Sequence, residues 1–248
     1  MNIVLILKRK LKRSLAERGI WGTMKHTLLK VSKISLINNS NAKDTNIKTD
    51  NNFDKKYGTD TNTKIPITHL KVASENWVHG VDYEAIPEEQ LLTTLNDLKI
   101  DIEKYIFIDY GSGKGRAVII AAKFPFKKVI GIEFSPELNI IANNNLEIID
   151  QGIFKTLEVE IVEKDAIEYK LPNEPLVLYM YNPFHSKIME QVFQNIESSY
   201  KIYNRPIIIL YFTPQHSEIF NRSTLFQKVL STKGLCIYKT IESLKYKQ

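Results

Sequence analysis

The chain has 248 residues, of which 43% are hydrophobic and 25% are charged, and its 34 basic and 28 acidic side chains give a net charge of +6. This composition excludes collagen-like and wholly disordered chains, because only 10 Gly and 9 Pro are spread among many aliphatic and aromatic residues. The single cysteine, Cys236, excludes a disulfide scaffold and predicts a reducing compartment, the cytoplasm.

Residues 1–36 hold the excess positive charge. They contain nine basic side chains and one acid, Glu17, a net of +8, whereas residues 37–248 hold 25 basic and 27 acidic side chains, a net of −2. The apolar run at the start precedes the basic residues and is far shorter than the about 20 residues that a membrane span needs. We therefore expect neither a secretory signal nor a transmembrane helix.

The apolar residues of segment 1–36 recur at helical spacing, with a break at residues 18–22. Two sets share the spacing: Val4, Leu7, Leu11 and Leu15, then Trp21, Met24, Leu28 and Val31. The pattern predicts two short basic amphipathic helices. Either their apolar stripes dock on the rest of the protein and the basic face meets solvent, or the segment binds an anionic partner such as a membrane surface, which would hold a cytoplasmic protein at the membrane periphery.

The remaining chain divides into three parts. Residues 37–52 are almost entirely polar and rich in Asn, and they predict a flexible linker. Residues 53–87 combine turn signals with single aromatics and predict an arm or lid that adds no core element. Residues 88–248 alternate strand-like and helix-like runs, which predicts an α/β domain with a mostly parallel sheet and helices on both faces.

The elements of this last part follow from their periodicity. The predicted helices cover residues 88–98, 116–124, 136–149 and 185–196. The predicted strands cover residues 105–110, 127–134, 157–165, 176–181, 206–212, 225–230 and 235–241. The last two strands are joined only by the turn at residues 231–234, so they must form an antiparallel hairpin, because a parallel return needs a long crossover.

A glycine-rich turn follows the first of these strands. Asp109 lies at the strand end, and Gly111, Gly113 and Gly115 alternate after it, which lets the backbone turn sharply and approach a ligand in front of the next helix. Glu133 ends the following strand, 18 residues beyond Gly115, where an acid is placed to bind the two hydroxyls of a ribose. The spacing predicts a site for an adenosine-containing ligand.

Three classes of ligand could explain this turn. A phosphate-binding P-loop is excluded, because Ile108 and Gly115 stand where Gly and Ser or Thr are needed, and a dinucleotide turn is disfavoured by Arg116 at its third glycine position. S-adenosylmethionine carries no phosphate, and Asp109 can face its ammonium group. In the structural alternative, Asp109 caps the helix and Glu133 is a solvated acid at a strand end.

The motifs of this region resemble those of class I S-adenosylmethionine-dependent methyltransferases. Residues 107–122 (FIDYGSGKGRAVIIAA) resemble the first motif, 130–138 (IGIEFSPEL) the second, 163–166 (EKDA) the third and 178–184 (LYMYNPF) the fourth. Within that superfamily the chain looks most like bacterial proteins related to the disruptor-of-telomeric-silencing histone lysine methyltransferases. The resemblance covers about residues 80–215 and implies a Rossmann-like seven-stranded sheet, with the cofactor across the ends of its first two strands.

The resemblance also implies roles for single residues. Those lining the methionine and ribose would be Asp109, Gly111, Ser112, Gly113 and Gly115. Glu133 would bind the ribose hydroxyls, Phe134 would pack on adenine, and Asp165 with Ala166 would meet the adenine edge. The alternative for Asp165 is an acid that caps a loop.

Asn182, Pro183 and Phe184 end the fourth strand at the same edge of the sheet. Related amino-methyltransferases carry an Asn or Asp, two prolines and an aromatic residue here; the amide oxygen accepts a hydrogen bond from the target amine and the ring packs against it. This chain has one proline, so the match is partial. The alternative is an N-cap at Asn182 with Pro183 as the first helical residue. His185 is a candidate base, with a solvated helix-end residue as its alternative.

Six further residues have open roles. Four could close over the cofactor as part of the arm, with ordinary packing or a solvated surface position as the alternative for each: Tyr57, Asp60, Tyr83 and Glu84. Lys114 and Arg116 could contact an anionic group of the substrate, although solvent-facing positions on a helix are the default expectation.

We therefore expect a methyltransferase that uses S-adenosyl-L-methionine, needs no metal and transfers a methyl group by in-line displacement to a nitrogen of a protein or small molecule, with protein lysine as the narrower expectation. Nucleic acid is disfavoured as a partner, because the basic excess lies on residues 1–36. The alternative is a non-catalytic cofactor-binding or membrane-surface adaptor that keeps the fold.

Overall fold

The computed structural model describes residues 3–34, 51–70 and 75–241, so most of the predicted linker 37–52 lies outside the described residues. The α-helices are α1 (Ile3–Ile34), α2 (Asn51–Tyr57), α3 (Glu88–Asn96), α4 (Arg116–Ala122), α5 (Pro136–Ile148), α6 (Ser186–Tyr203) and α7 (Ser217–Asn221). The strands are β1 (Ile106–Tyr110), β2 (Lys128–Glu133), β3 (Val159–Glu163), β4 (Leu176–Tyr181), β5 (Ile207–Phe212), β6 (Phe226–Ser231) and β7 (Leu235–Thr240). Short 3-10 helices lie at Ile67–His69, Glu75–His79, Ile102–Lys104, Gln151–Ile153 and Ala166–Glu168.

The seven strands form one sheet in the order β3-β2-β1-β4-β5-β7-β6. The pairs from β3 to β5 are parallel, and β7 pairs antiparallel with both β5 and β6. The predicted Rossmann-like sheet with a C-terminal antiparallel hairpin is therefore confirmed. The strand order reverses between β1 and β4, and a sheet of this kind opens a ligand crevice at the carboxyl ends of its strands at such a point.

Both faces of the sheet are covered by helices, as predicted. Every residue of β1 and β5 is buried, which explains why these strands are continuous apolar runs without alternation. On one face, Ile108 and Leu178 pack with Val192 of α6. On the other face, Phe107 and Val177 pack with α3 and α4.

The arm contributes to the core, contrary to the expectation from its sequence. Phe53 of α2 is fully buried, in the same cluster as Leu91 of α3 and Val118 of α4. The Arg116 guanidinium lies 4.6 Å from the centroid of the Phe53 ring. A single aromatic in a polar segment can thus complete a core whose other members lie far away in the sequence.

Helix α1 deviates from helical geometry at Gly19, which has a φ of 66° and lies within the predicted break at residues 18–22. Its apolar stripe does not dock on the domain, because Leu7 is 60% exposed and Leu11 55% exposed. The interpretation in which the apolar residues pack inward is therefore wrong for the first stripe, and Leu28 and Val31 of the second lie outside the described side chains. Among the described residues, no helix is both long enough and apolar enough to span a membrane.

Candidate functional site

A cavity of about 390 Å³ opens at the carboxyl ends of β1, β2 and β4. Most of the predicted site residues line it: Asp109, Gly111, Ser112, Gly113, Glu133, Phe134, Asp165, Ala166, Asn182, Pro183 and Phe184. Gly115 does not line the cavity. Its φ is +85°, and a Cβ there would lie 3.3 Å from the Cβ of Ala142, so this glycine allows α4 to approach α5.

The glycine turn is held from two sides. A Cβ added to Gly111 would lie 2.9 Å from the Cβ of Pro183, and one added to Gly113 would lie 2.2 Å from Cδ2 of Tyr83. Both glycines have positive φ, 76° and 55°. The Tyr83 hydroxyl donates a hydrogen bond of 2.5 Å to the carbonyl of Thr61, which fixes the ring over the turn. The loop Asn182–Phe184, called here the transfer loop, and the arm therefore meet at the predicted cofactor turn.

Two buried carboxyl groups face the cavity. The carboxylate of Glu133 accepts hydrogen bonds from the backbone N–H groups of Gly113 (3.0 Å) and Ser135 (2.9 Å). Burial raises the pKa of Glu133 to about 7 despite these bonds. Burial also raises the pKa of Asp109 well above its ordinary value, and the charge of Glu133 adds to that rise. Asp109 does not cap α4, whose N-cap is Gly115, and Glu133 is not solvated, so the structural alternatives for both acids are wrong.

Two buried hydroxyls in the cavity wall have no hydrogen-bond partner among the described residues, those of Ser112 and Tyr179. A buried hydroxyl without a partner costs about 1–3 kcal/mol, which a ligand with a matching group would offset. Tyr179 stands opposite Asp109 in the β1–β4 register. Sequence analysis missed Tyr179; the available signal was a tyrosine within a buried strand, where the hydroxyl needs a partner.

Asp165 has a structural role as well as a place in the cavity wall. Its carboxylate accepts hydrogen bonds from Nδ2 of Asn76 (2.8 Å) and from the backbone N–H of Ile167 (3.1 Å), so it caps the 3-10 helix at Ala166–Glu168. Phe134 packs beside the small cluster that contains Trp77 and Leu138. Phe134 and Asp165, the residues predicted to meet adenine, are thus contacted by the segment that precedes the glycine turn.

The transfer loop does not begin a helix. Helix α6 begins at Ser186 with His185 at its N-cap, so the alternative that placed the helix start at Asn182 and Pro183 is wrong. Asn182 has a left-handed backbone with a φ of 42°. Its Oδ1 accepts a hydrogen bond of 3.4 Å from the Tyr211 hydroxyl. The amide is therefore oriented at the cavity wall by a neighbouring strand.

His185 contacts α1 at the edge of the site. Its Nε2 lies 3.2 Å from a carboxylate oxygen of Glu17. Burial lowers the pKa of His185 and the charge of Glu17 opposes that change. The imidazole is not among the groups that line the cavity, so nothing in this geometry favours its predicted role as a base.

Lys114 and Arg116 are buried, with exposed fractions of 1% and 2%, and the expectation of solvent-facing positions is wrong. Lys114 donates a hydrogen bond of 2.8 Å from Nζ to Asp60. Arg116 donates from Nε to the Thr61 hydroxyl (2.7 Å) and from a terminal nitrogen to the carbonyl of Ile86 (3.0 Å). Lys114 therefore binds the arm to the glycine turn, and Arg116 binds it to the first residue of α4.

Asp54 organises this part of the arm, and sequence analysis missed it. It accepts hydrogen bonds from the Thr59 hydroxyl, from the backbone and hydroxyl of Thr61 and from the backbone of Asn62. It also lies 3.7 Å from Arg116. Burial raises the pKa of Asp54, and the hydrogen bonds from Thr61 and Thr59 outweigh that effect, so the pKa is lowered. An Asp followed by closely spaced Thr and Asn residues was the available signal.

The remaining arm residues differ in their distance from the cavity. Tyr83 and Glu84 line it, and Glu84 also pairs with Lys64 at 3.2 Å. Tyr57 instead donates a hydrogen bond of 3.1 Å to Glu88 of α3. The arm thus reaches the cavity through Tyr83 and Glu84, whereas Asp60 pairs with Lys114 outside the cavity wall and Tyr57 attaches the arm to α3.

No protein-family model matches the chain, and no curated protein matches it. Solved structures of methylases do match it. A ribosomal protein L11 methylase from Lactobacillus delbrueckii subsp. bulgaricus is 16% identical with a TM-score of 0.44, over 62% of this chain and 77% of that chain. An RNA methyltransferase from Salinibacter ruber, in complex with S-adenosyl-L-homocysteine, is 19% identical with a TM-score of 0.41, over 63% and 92%.

A third structure is that of a predicted N6-adenine-specific DNA methylase from Listeria monocytogenes, which is 13% identical with a TM-score of 0.48, over 63% of this chain and 51% of that chain. Each of these likenesses is one of fold.

Proposed function

We propose that the chain is a methyltransferase that uses S-adenosyl-L-methionine. The observation that carries this proposal is the pair of buried carboxyl groups, Asp109 and Glu133, beside a tight glycine turn in one cavity. Carboxyl groups buried together favour a cationic ligand, because a nearby positive charge offsets the loss of hydration. S-adenosylmethionine carries a sulfonium and an ammonium group, whereas the pyrophosphate of a dinucleotide would add negative charge.

The residues present fit this cofactor. Asp109 would hold its ammonium group, and the turn at Gly111 and Gly113, which Pro183 and Tyr83 hold in place, would line the site beside it. Glu133 would bind the ribose hydroxyls with the lone pairs that its two backbone hydrogen bonds leave free. Phe134 would contact adenine, and Asp165 with Ala166 would meet its edge. When bound, the cofactor supplies a methyl group activated by its attachment to a sulfonium.

Transfer to a nitrogen is the reaction that the Asn182–Phe184 loop favours. The Asn182 oxygen keeps a lone pair beyond the one that Tyr211 uses, and it could accept a hydrogen bond from an incoming amine. Phe184 would pack against the acceptor and help exclude water. Methyl transfer needs a correctly aligned, unprotonated nucleophile, so positioning by these side chains is the main contribution of the protein.

Protein lysine is the narrower proposal for the acceptor. The relation to the disruptor-of-telomeric-silencing enzymes has no counterpart among the three solved structures above. By their names, the proteins in these three solved structures act on a ribosomal protein, on RNA and on DNA. They therefore lend no support to the expectation that nucleic acid is an unlikely partner, and an acceptor assay must include nucleic acid.

Thermal denaturation with S-adenosylhomocysteine, NAD and ATP tests the cofactor. A ligand at 100 times its dissociation constant adds about 2.7 kcal/mol to the free energy of unfolding. We expect this gain only with S-adenosylhomocysteine, and we expect Glu133→Gln to abolish it. Glu163→Gln is the matched control, because Glu163 ends β3 opposite Glu133 but is exposed. A larger gain with NAD, or equal gains in both variants, would overturn the assignment.

Methyl transfer from labelled cofactor to a cell lysate tests the activity. Parallel samples treated with protease or with nuclease identify the acceptor class, and Asn182→Ala should remove the label while leaving binding of S-adenosylhomocysteine intact. Binding without any transfer would favour the non-catalytic adaptor. Label that survives protease but not nuclease would reject the lysine proposal.

A further inference from the structure

Helix α1 presents an exposed apolar ridge, formed by Val4, Leu7, Leu11 and Leu15 and called here the outer face. Each of these side chains is exposed. They are spaced three or four residues apart, so they form one continuous stripe along the helix. We propose that the outer face of α1 is a docking surface for an anionic lipid bilayer. The proposal is independent of the methyltransferase assignment.

The opposite side of the helix is polar and contacts the domain. The Arg9 guanidinium lies 5.0 Å from the centroid of the Trp77 ring, and Arg13 pairs with Asp82 at 3.1 Å. Glu17 pairs with His185. Successive helical residues are about 100° apart, so Arg13 and Leu11 point in nearly opposite directions. The helix is therefore held by its charged side, which leaves its apolar side outward.

The charges beside the ridge identify the partner. Lys8 and Lys12 flank one edge of the outer face, Lys10 lies towards the other edge, and Arg18 follows one turn after Leu15 on the line of the ridge; all four are exposed. An apolar stripe with basic edges is the pattern of helices that lie in the plane of a membrane interface and bind anionic headgroups. A second copy of the chain is a poor occupant, because two segments of net charge +8 would meet.

The helix beyond Gly19 exposes further apolar residues. Trp21 is 83% exposed, and Ile20 and Met24 are exposed beside it. Tryptophan is enriched at the level of lipid headgroups because its ring is apolar and its N–H is polar. The kink thus places an exposed tryptophan after the ridge, as expected for a segment that enters a bilayer surface.

Docking would also set the orientation of the cavity. Arg13 and Asp82, which hold the inner side of α1, are both part of the cavity wall. A bilayer on the outer face therefore lies one helix diameter, about 10 Å, from this part of the cavity wall. Acceptors at or near the lipid surface would be within reach.

Co-sedimentation of the full chain with vesicles tests the proposal. We expect binding to phosphatidylcholine vesicles that contain phosphatidylglycerol, weak binding to phosphatidylcholine alone, and a steep decrease with salt. Lys8→Ala with Lys12→Ala should weaken binding about 30-fold, since each lysine near an anionic surface contributes about fivefold. Leu7→Glu with Leu11→Glu should weaken it at least about tenfold, because two charged side chains would enter the interface.

Matched controls separate docking from general effects of charge or folding. Lys228→Ala with Lys233→Ala removes two exposed lysines of the C-terminal hairpin, and Leu157→Glu changes a leucine that is 97% exposed. We expect all variants to keep the thermal stability of the parent chain and the controls to keep full binding. Equal binding to neutral vesicles, equal losses in controls and α1 variants, or a dimer that Leu7→Glu dissociates would overturn the proposal.

Discussion

Glu133 links burial to the pH dependence of stability. Its pKa is raised from 4.5 to about 7, so the folded protein holds a proton that the unfolded chain has released. This contribution to the free energy of unfolding is fully present below pH 4.5 and is lost as the pH rises through about 7. We expect the free energy of unfolding of the ligand-free protein to decrease across this window, and to decrease less in Glu133→Gln. Urea denaturation at both ends of the window measures the change; equal decreases in both proteins would contradict it.

The same residue predicts how binding depends on pH. A cationic ligand favours the ionised forms of Glu133 and Asp109, so binding must release protons while either group is protonated. We expect the affinity for S-adenosylmethionine to increase as pH rises towards about 7. Calorimetry in buffers of different ionisation enthalpy counts the protons released, and an affinity that is constant with pH would be the contrary result.

Tyr179 offers a test with opposite effects on stability and binding. Its buried hydroxyl has no partner among the described residues, so Tyr179→Phe should leave the stability of the free protein unchanged or raise it by about 1 kcal/mol. Affinity for S-adenosylhomocysteine should fall about tenfold if the hydroxyl contacts the ligand. Tyr238→Phe is the contrasting control, because the Tyr238 hydroxyl donates a hydrogen bond to Asn221 away from the cavity. Its removal should destabilise the folded protein without weakening the binding of S-adenosylhomocysteine.

At the scale of elements, the arm is attached to α4 by a small polar network. Asp54→Ala removes the carboxylate beside the buried Arg116 and leaves several hydrogen-bond donors of the arm unsatisfied. We therefore expect the free energy of unfolding to decrease by about 2–4 kcal/mol. Hydrogen exchange should accelerate in residues 51–62 more than in β4. Glu89→Ala, at an exposed position of α3, is the control. Unchanged exchange in the arm would show that other contacts hold it.

The elements also show how far the sequence could be interpreted. Apolar runs and glycine placement predicted each strand of the sheet and the turn at Asp109, because these depend on local periodicity. The burial of Arg116 could not be predicted in this way, since its partners Thr61 and Ile86 lie 55 and 30 residues away. The same holds for Phe53, whose neighbours in the core come from α3 and α4.

At the scale of the whole molecule, α1 is a separate unit that polar contacts hold on the domain. The pair Arg13–Asp82 is partly exposed, and such pairs contribute little, at most about 1 kcal/mol. We expect Arg13→Ala to leave the melting temperature nearly unchanged while hydrogen exchange accelerates in residues 3–18. Lys10→Ala is the matched control, because Lys10 is exposed. A large drop in melting temperature would instead make α1 part of the core.

The orientation of α1 shows why a helical pattern alone was insufficient. Periodicity identified the apolar stripe correctly, but a stripe does not specify whether it faces protein or another partner. The face of α1 that lies against the domain contacts Trp77, Asp82 and His185, and each of these is more than 60 residues away from its partner in the sequence. Likewise, the net charge of +6 combines +8 on residues 1–36 with −2 on the rest of the chain, and Arg13 of the basic part lies in the cavity wall.

The position of β7 between β5 and β6 has a consequence for the order of folding. β6 is made before β7 but touches the sheet only through it, so β6 cannot reach its final place until β7 exists. The outer edge of β5 is therefore open during synthesis, with unpaired backbone groups on an apolar strand. The hairpin must form before or while it docks, and the interval before docking is when this protein is most exposed to self-association through strand edges.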